Sequence, residues 1–132
     1  MNNIAIGVKM EADVHYCQSE VDKITNKMGF DPLERSRVRI IVSELATNLL
    51  KYAGSGSIKV SGIEENGKKG LEIESHDRGP GIEDINTALT DNYSSSGTLG
   101  LGLPGIKRIA KSMEIISSPG EGTHILVKYF GR

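Results

Sequence analysis

The sequence predicts an α+β fold, a two-layer sandwich in which a mixed, mostly antiparallel sheet carries helices on one face. Three observations lead there. Short apolar-alternating runs read as half-buried strands, and two longer runs with three- and four-residue apolar spacing read as amphipathic helices. The strands fall in pairs joined by turn signals, Asn66-Gly67 and Pro119-Gly120-Glu121-Gly122, which favours antiparallel neighbours. Helices stand between those pairs, so one layer of each kind is expected, within a single domain over residues 1–132.

Ile4, Ile6 and Val8 alternate, which predicts a strand over residues 3–9. Val14, Cys17, Val21, Ile24 and Met28 form the apolar stripe of a helix over residues 12–28, and Gly29 suits its C-terminal cap. Asp31-Pro32-Leu33-Glu34 supplies an N-cap acid, a proline at the first position and an acid at the third. A second helix is therefore expected from there to about Tyr52, turning Val38, Ile41, Val42, Leu45 and Leu49 inward, with Gly54-Ser55-Gly56 ending it. Strands over residues 57–64 and 70–76 follow, and the period-two series Leu71, Ile73, Ser75 brings Asp77 onto the buried side. A carboxylate aimed there needs hydrogen-bond partners. Residues 82–90 read as a short helix, 91–101 as a flexible lid, and Pro104 suits the first turn of a helix that runs through Lys111 with Ile106 and Ile109 inward. Strands over residues 113–117 and 123–130 complete the sheet.

Composition removes several function classes. Hydrophobic residues make up 37% and charged residues 25%, an ordinary globular balance. Sixteen basic against seventeen acidic residues give a net charge of −1, which argues against broad nucleic-acid binding. The single Cys17 excludes an internal disulfide and a cysteine-based zinc site, and reads as a small core hydrophobe. His15, His76 and His124 are scattered without ligand spacing. The N-terminus MNNIAIGVKM lacks the apolar core of a signal peptide, and no apolar run reaches membrane-spanning length. No membrane partner and a cytoplasmic location are expected.

The stretch from Asp77 to Gly105 organises the functional reading. It opens with Asp77-Arg78-Gly79-Pro80-Gly81 and closes with Gly97-Thr98-Leu99-Gly100-Leu101-Gly102. Glycines at this density let backbone approach a ligand closely. Free N–H groups ahead of a helix start suit phosphate. A nucleotide pocket under a lid is one reading; a surface loop that uses glycine only for turns is the plainer one. Glu44, Asn48 and Lys51 lie within roughly 60° of one another on an ideal helix, along the edge of its apolar face. Alone they would pass for a solvated charged stripe. Beside the glycine stretch they offer what a magnesium–nucleotide site requires: an amide oxygen for the ion, an ammonium for phosphate and a carboxylate for a proton. Thr123 could contact a base or a bridging water, or simply be a β-branched strand residue.

In order, Glu44-Leu45-Ala46-Thr47-Asn48, Asp77-x-Gly79-x-Gly81, Gly97-x-x-Gly100-x-Gly102 and Gly120-x-Gly122-Thr123 resemble the four motifs of the GHKL ATPase superfamily, which includes gyrase B, MutL, histidine-kinase catalytic domains and the anti-sigma-factor serine/threonine kinases. The resemblance runs from about Ile4 to Phe130 and implies the Bergerat fold, with ATP and Mg²⁺ held beneath the lid. Ser43–Ala53 and Gly100–Ala110 resemble most the switch kinases of the stressosome, within the anti-sigma-factor type. That likeness implies Glu44 as catalytic base, Asn48 as the Mg²⁺ ligand and Lys51 on phosphate. It implies Asp77 accepting from the adenine amino group, with Gly79 and Gly81 letting the base approach. Gly97-Thr98-Leu99-Gly100-Leu101-Gly102 would wrap the phosphates, and Thr123 would complete the adenine end. The chain departs from some anti-sigma kinases in having no Lys or Arg between Arg78 and Lys107, which leaves Lys51 or a partner to supply a cation near the γ-phosphate.

The expected function is an ATP-dependent serine/threonine protein kinase acting in trans on a STAS-domain antagonist or scaffold of a stressosome, and activating a PP2C-type phosphatase by direct binding. The alternative is an anti-sigma factor that holds a sigma factor and phosphorylates its STAS antagonist. A detached histidine-kinase catalytic domain would instead leave an acid-labile phosphate on its partner. An ATP-hydrolysing clamp fits least, because no transducer segment follows the pocket.

Overall fold

The computed structural model describes residues 3–79 and 102–131. The helix expected over 82–90 and the lid over 91–101 lie outside the described residues, and with them Gly81, Gly97, Thr98, Leu99, Gly100 and Leu101. The described elements are β1 (Asn3–Val8), α1 (Glu11–Lys27), α2 (Pro32–Asn48), a π-helical turn (Leu49–Ala53), β2 (Gly56–Glu65), β3 (Lys68–His76), α3 (Gly102–Ile109), β4 (Ser112–Ser118) and β5 (Gly122–Phe130). The five strands form one sheet in the order β1-β2-β3-β5-β4, and the four described pairings are all antiparallel.

Local chemistry explains the boundaries. Asp31 caps α2 by accepting from the Glu34 N–H at 2.8 Å, while the Glu34 carboxylate accepts from the Asp31 N–H at 3.0 Å. This is a reciprocal capping box, with Pro32 at the first helical position. At the end of α1, Gly29 takes φ +78°. Its N–H donates to Asn26 O, and the Phe30 N–H donates to Thr25 O, the two bonds of a Schellman motif. Asn66 and Gly67 both adopt positive φ, the type I′ geometry that brings Glu65 opposite Lys68.

Buried Ile58, Val60, Leu71, Ile73, Ile125 and Val127 line the sheet's inner face. Against it pack Val14, Cys17 and Val21 of α1, Val38, Ile41, Val42 and Leu45 of α2, and Ile106 of α3. Asp22 joins the two long helices, accepting from Arg35 at 2.7 Å and Arg39 at 2.6 Å. The outer face pairs opposite charges across strands, Lys59 with Glu74 and Glu72 with Lys128. Among the described residues no helix is long and apolar enough to cross a membrane.

Two helix boundaries differ from the sequence reading. The second helix keeps α geometry only to Asn48 and finishes in the π turn, with Leu49 still buried over Gly56. The helix expected to run through Lys111 has Pro104 in its first turn, as expected, from a start at Gly102, but stops at Ile109. The Gly102 N–H at its start donates to Glu44, while the Lys111 N–H is taken by Lys128 O of the sheet.

Candidate active site

Asp77 stands one residue past the end of β3, beside the start of β5. Its N–H donates to Thr123 O at 3.0 Å. Its Oδ1 accepts from the Gly79 N–H at 2.8 Å and, more weakly, from the Thr123 N–H at 3.3 Å. Two backbone donors on one oxygen fix the carboxylate's orientation, and neither uses Oδ2. The chains cross closely enough here to demand glycine. A Cβ on Gly122, which has φ +91°, would run into Asp77 O, and one on Gly79 would stand 2.7 Å from Ala53 Cβ. Thr123 is buried, and its hydroxyl lies 2.9 Å from that of Ser117, which donates to Gly122 O at 3.1 Å.

The other half of the site is on α2. Glu44 is only 3% exposed, deeper than the edge position the helical wheel assigned it. Its Oε2 accepts the Gly102 N–H, at the first residue of α3, at 3.1 Å. Burial pushes the Glu44 carboxyl pKa up; the Gly102 N–H and the Lys51 charge act in the opposite direction. Asn48 follows one turn on, half-buried. Lys51 is exposed, with Nζ 5.3 Å from the centre of the Tyr52 ring. Lys51 lies in a π turn, whose hydrogen bonds span five residues, and its charge still reaches Glu44. Lys51 also borders a cavity of about 600 Å³ between α1 and α2, with His15, Gln18, Ser43 and Thr47 among its lining.

The structure thus brings Asp77, Gly79 and Thr123 to one place and Glu44 and Gly102 to another, with α2 and its π turn connecting them. Sequence reasoning missed Ala53, Gly122 as a crossing point, and Ser117. The alternation of Ile115 and Ser117 in β4 would have put Ser117 on the inner face. Only the register Ser117↔Thr123 shows what it meets.

Residues 34–130 match the family model of the histidine kinase-, DNA gyrase B-, and HSP90-like ATPases. The chain belongs to this ATPase family. Serine/threonine-protein kinase RsbT of Bacillus subtilis (strain 168) is 38% identical over 120 residues, covering 91% of this chain and 90% of that protein. This ATPase-family chain is accordingly a protein serine/threonine kinase that uses ATP, close to RsbT as Ser43–Ala53 and Gly100–Ala110 led one to expect. Among solved structures, a chain in the crystal structure of the SiaB-SiaC complex from Pseudomonas aeruginosa superposes with a TM-score of 0.60 at 10% identity, over 96% of this chain and 89% of that one. At that identity the likeness concerns the fold, whose helix-on-sheet arrangement it shares.

Proposed function

We propose that this kinase transfers the γ-phosphoryl group of ATP to a serine or threonine of a STAS-domain protein in a cytoplasmic stress-signalling partner switch, and that it also activates a PP2C-type phosphatase by binding it. The observation that carries the reading is the placement of the glycine stretch's two described ends. Gly79 is pressed against Ala53 at the end of the α2 segment, and Gly102 donates to Glu44 in its middle. A ligand held between those ends has an acceptor carboxylate at one side and a buried carboxylate at the other.

Asp77 is an acceptor suited to the adenine amino group, with its Oδ2 unused by the two anchoring N–H groups. Gly79 and Gly81 let the base lie against backbone, and Thr123 completes that end. The run Gly97-Thr98-Leu99-Gly100-Leu101-Gly102 supplies N–H groups to the phosphates, with Lys51 as the neighbouring ammonium. Asn48 offers a neutral hard oxygen one turn from Glu44, a donor that suits Mg²⁺. The ion, when bound, neutralises phosphate charge.

Glu44 takes the proton of the acceptor hydroxyl as that oxygen forms its bond to the γ-phosphorus. The bond to the bridging oxygen breaks, and ADP leaves with the electron pair. Burial of Glu44 suits it to this role, because a carboxyl pKa raised toward neutrality makes a stronger base. The acceptor comes from a second protein, so rate depends on how that protein positions its hydroxyl.

Incubation with Mg·ATP and candidate STAS-domain proteins, read by intact mass, tests the reading. Gain of one phosphoryl group, stable to acid, is the expected result. An acid-labile adduct, or no transfer by a protein that binds ATP, would overturn it.

A further inference from the structure

The bond between Glu44 Oε2 and the Gly102 N–H joins residues 58 positions apart, one within α2 and the other at the first residue of α3. The opening N–H groups of a helix have no partner inside it and take acceptors from elsewhere. At the start of α3 that acceptor is a carboxylate only 3% exposed, carried by a different helix. Gly102 is itself buried and takes φ +51°, a left-handed angle that favours glycine. The bond fixes the rotation of the carboxylate, and among the described residues no donor reaches Oε1. The two oxygens are therefore unequal: the protein holds one and leaves the other to take a proton. The same N–H favours the ionised carboxylate against the penalty of burial.

We propose that Gly102 is a positioning residue for the base: its N–H is committed to Glu44 rather than to a phosphate, and it aims the carboxylate at the acceptor hydroxyl. The inference rests on the reading of Glu44 as the base. It divides the run Gly97-Thr98-Leu99-Gly100-Leu101-Gly102, whose earlier N–H groups are left for phosphate while the last serves the proton transfer. Gly102 acts on the reaction only through Glu44.

An ester in place of the Leu101–Gly102 amide removes the N–H and keeps the glycine. The ester protein is compared with the unmodified protein and with Gly102→Ala, which retains the N–H. ATP affinity is read by calorimetry, and transfer to a STAS-domain protein is followed against pH. The ester should leave ATP affinity within about 2-fold, lower transfer at pH 7 roughly 10-fold and move the acid limb up by about one pH unit, the worth of a hydrogen bond to a charged group. Much of the loss should return at alkaline pH. Gly102→Ala, strained at φ +51°, should lower the thermal midpoint and leave the acid limb in place. A second measurement needs neither the ester nor an acceptor protein. With Mg²⁺ and a non-hydrolysable ATP analogue bound, the Gly102 amide proton resonance should titrate together with the Glu44 carboxyl carbon, and should cease to titrate in Glu44→Gln. An amide that stops following Glu44 once the analogue binds, or an ester that weakens ATP binding 10-fold with the acid limb unmoved, would give the N–H to phosphate and overturn the proposal. Full transfer by Glu44→Gln would remove the base itself, and this role with it. An inactive Glu44→Gln beside an unmoved acid limb in the ester would remove Gly102 alone.

Discussion

Glu44 answers two opposed demands. As a base it must be ionised, yet it is buried, and burial penalises the ionised form. Its folded-state pKa is raised, so protonation favours the fold. That contribution is whole below the ordinary glutamate value of about 4.3 and is lost as pH rises through the raised one. At neutral pH the charged side chain therefore works against stability. Glu44→Gln should abolish phosphoryl transfer and raise the thermal unfolding midpoint at pH 7, with the gap to the unmodified protein closing as the solution is acidified. The acid limb of the transfer rate, measured against pH, should lie above the ordinary glutamate range. A midpoint lowered by Glu44→Gln at pH 7 would contradict this account of the site.

At the scale of elements, what could be read from the chain was whatever is decided locally. The Asp31–Glu34 box, the Gly29 cap and the Asn66-Gly67 turn are each set within a few residues, and each forms where the spacing places it. The π turn and the end of α3 are decided elsewhere, by Leu49 packing over Gly56 and by the Lys111 N–H pairing with Lys128 O of the sheet. The same divide runs through the site. Glu44, Asp77 and the glycines announced themselves by residue type and order. Ser117, Ala53 and the role of Gly122 depend on strand register and on how chains cross, which no local pattern encodes. Gly122 gives the sharpest test at this scale. Alanine there would have both a disfavoured backbone angle and a Cβ well inside van der Waals contact distance of the Asp77 carbonyl oxygen. Gly122→Ala should cost about 2–3 kcal/mol in urea unfolding and weaken ATP binding, whereas Gly120→Ala, with φ +80° but open space around it, should show only the backbone part.

Across the whole molecule, the sheet order puts β3 beside β5 although α3 and β4 intervene in the chain. The long helices cover one side, and charged cross-strand pairs occupy the other. Neighbours so distant in sequence make ring closure a slow step, so refolding should be governed by the joining of β3 to β5 rather than by the local α1–α2 pair. The Asp77–Thr123 bond spans 46 positions and marks where that ring shuts. Of the chain between those two residues, α3 returns to the core and β4 to the sheet. Entropy charges little for a longer ring, about 0.6 kcal/mol for each doubling. A short Gly-Ser insertion at Ser94–Ser96 should therefore leave nucleotide-free urea unfolding within about 0.5 kcal/mol while changing ATP affinity; a much larger loss would contradict this account of the closure. Such an architecture can retune its hold on nucleotide by editing the residues between Gly79 and Gly102 and leave the register of all five strands as it was.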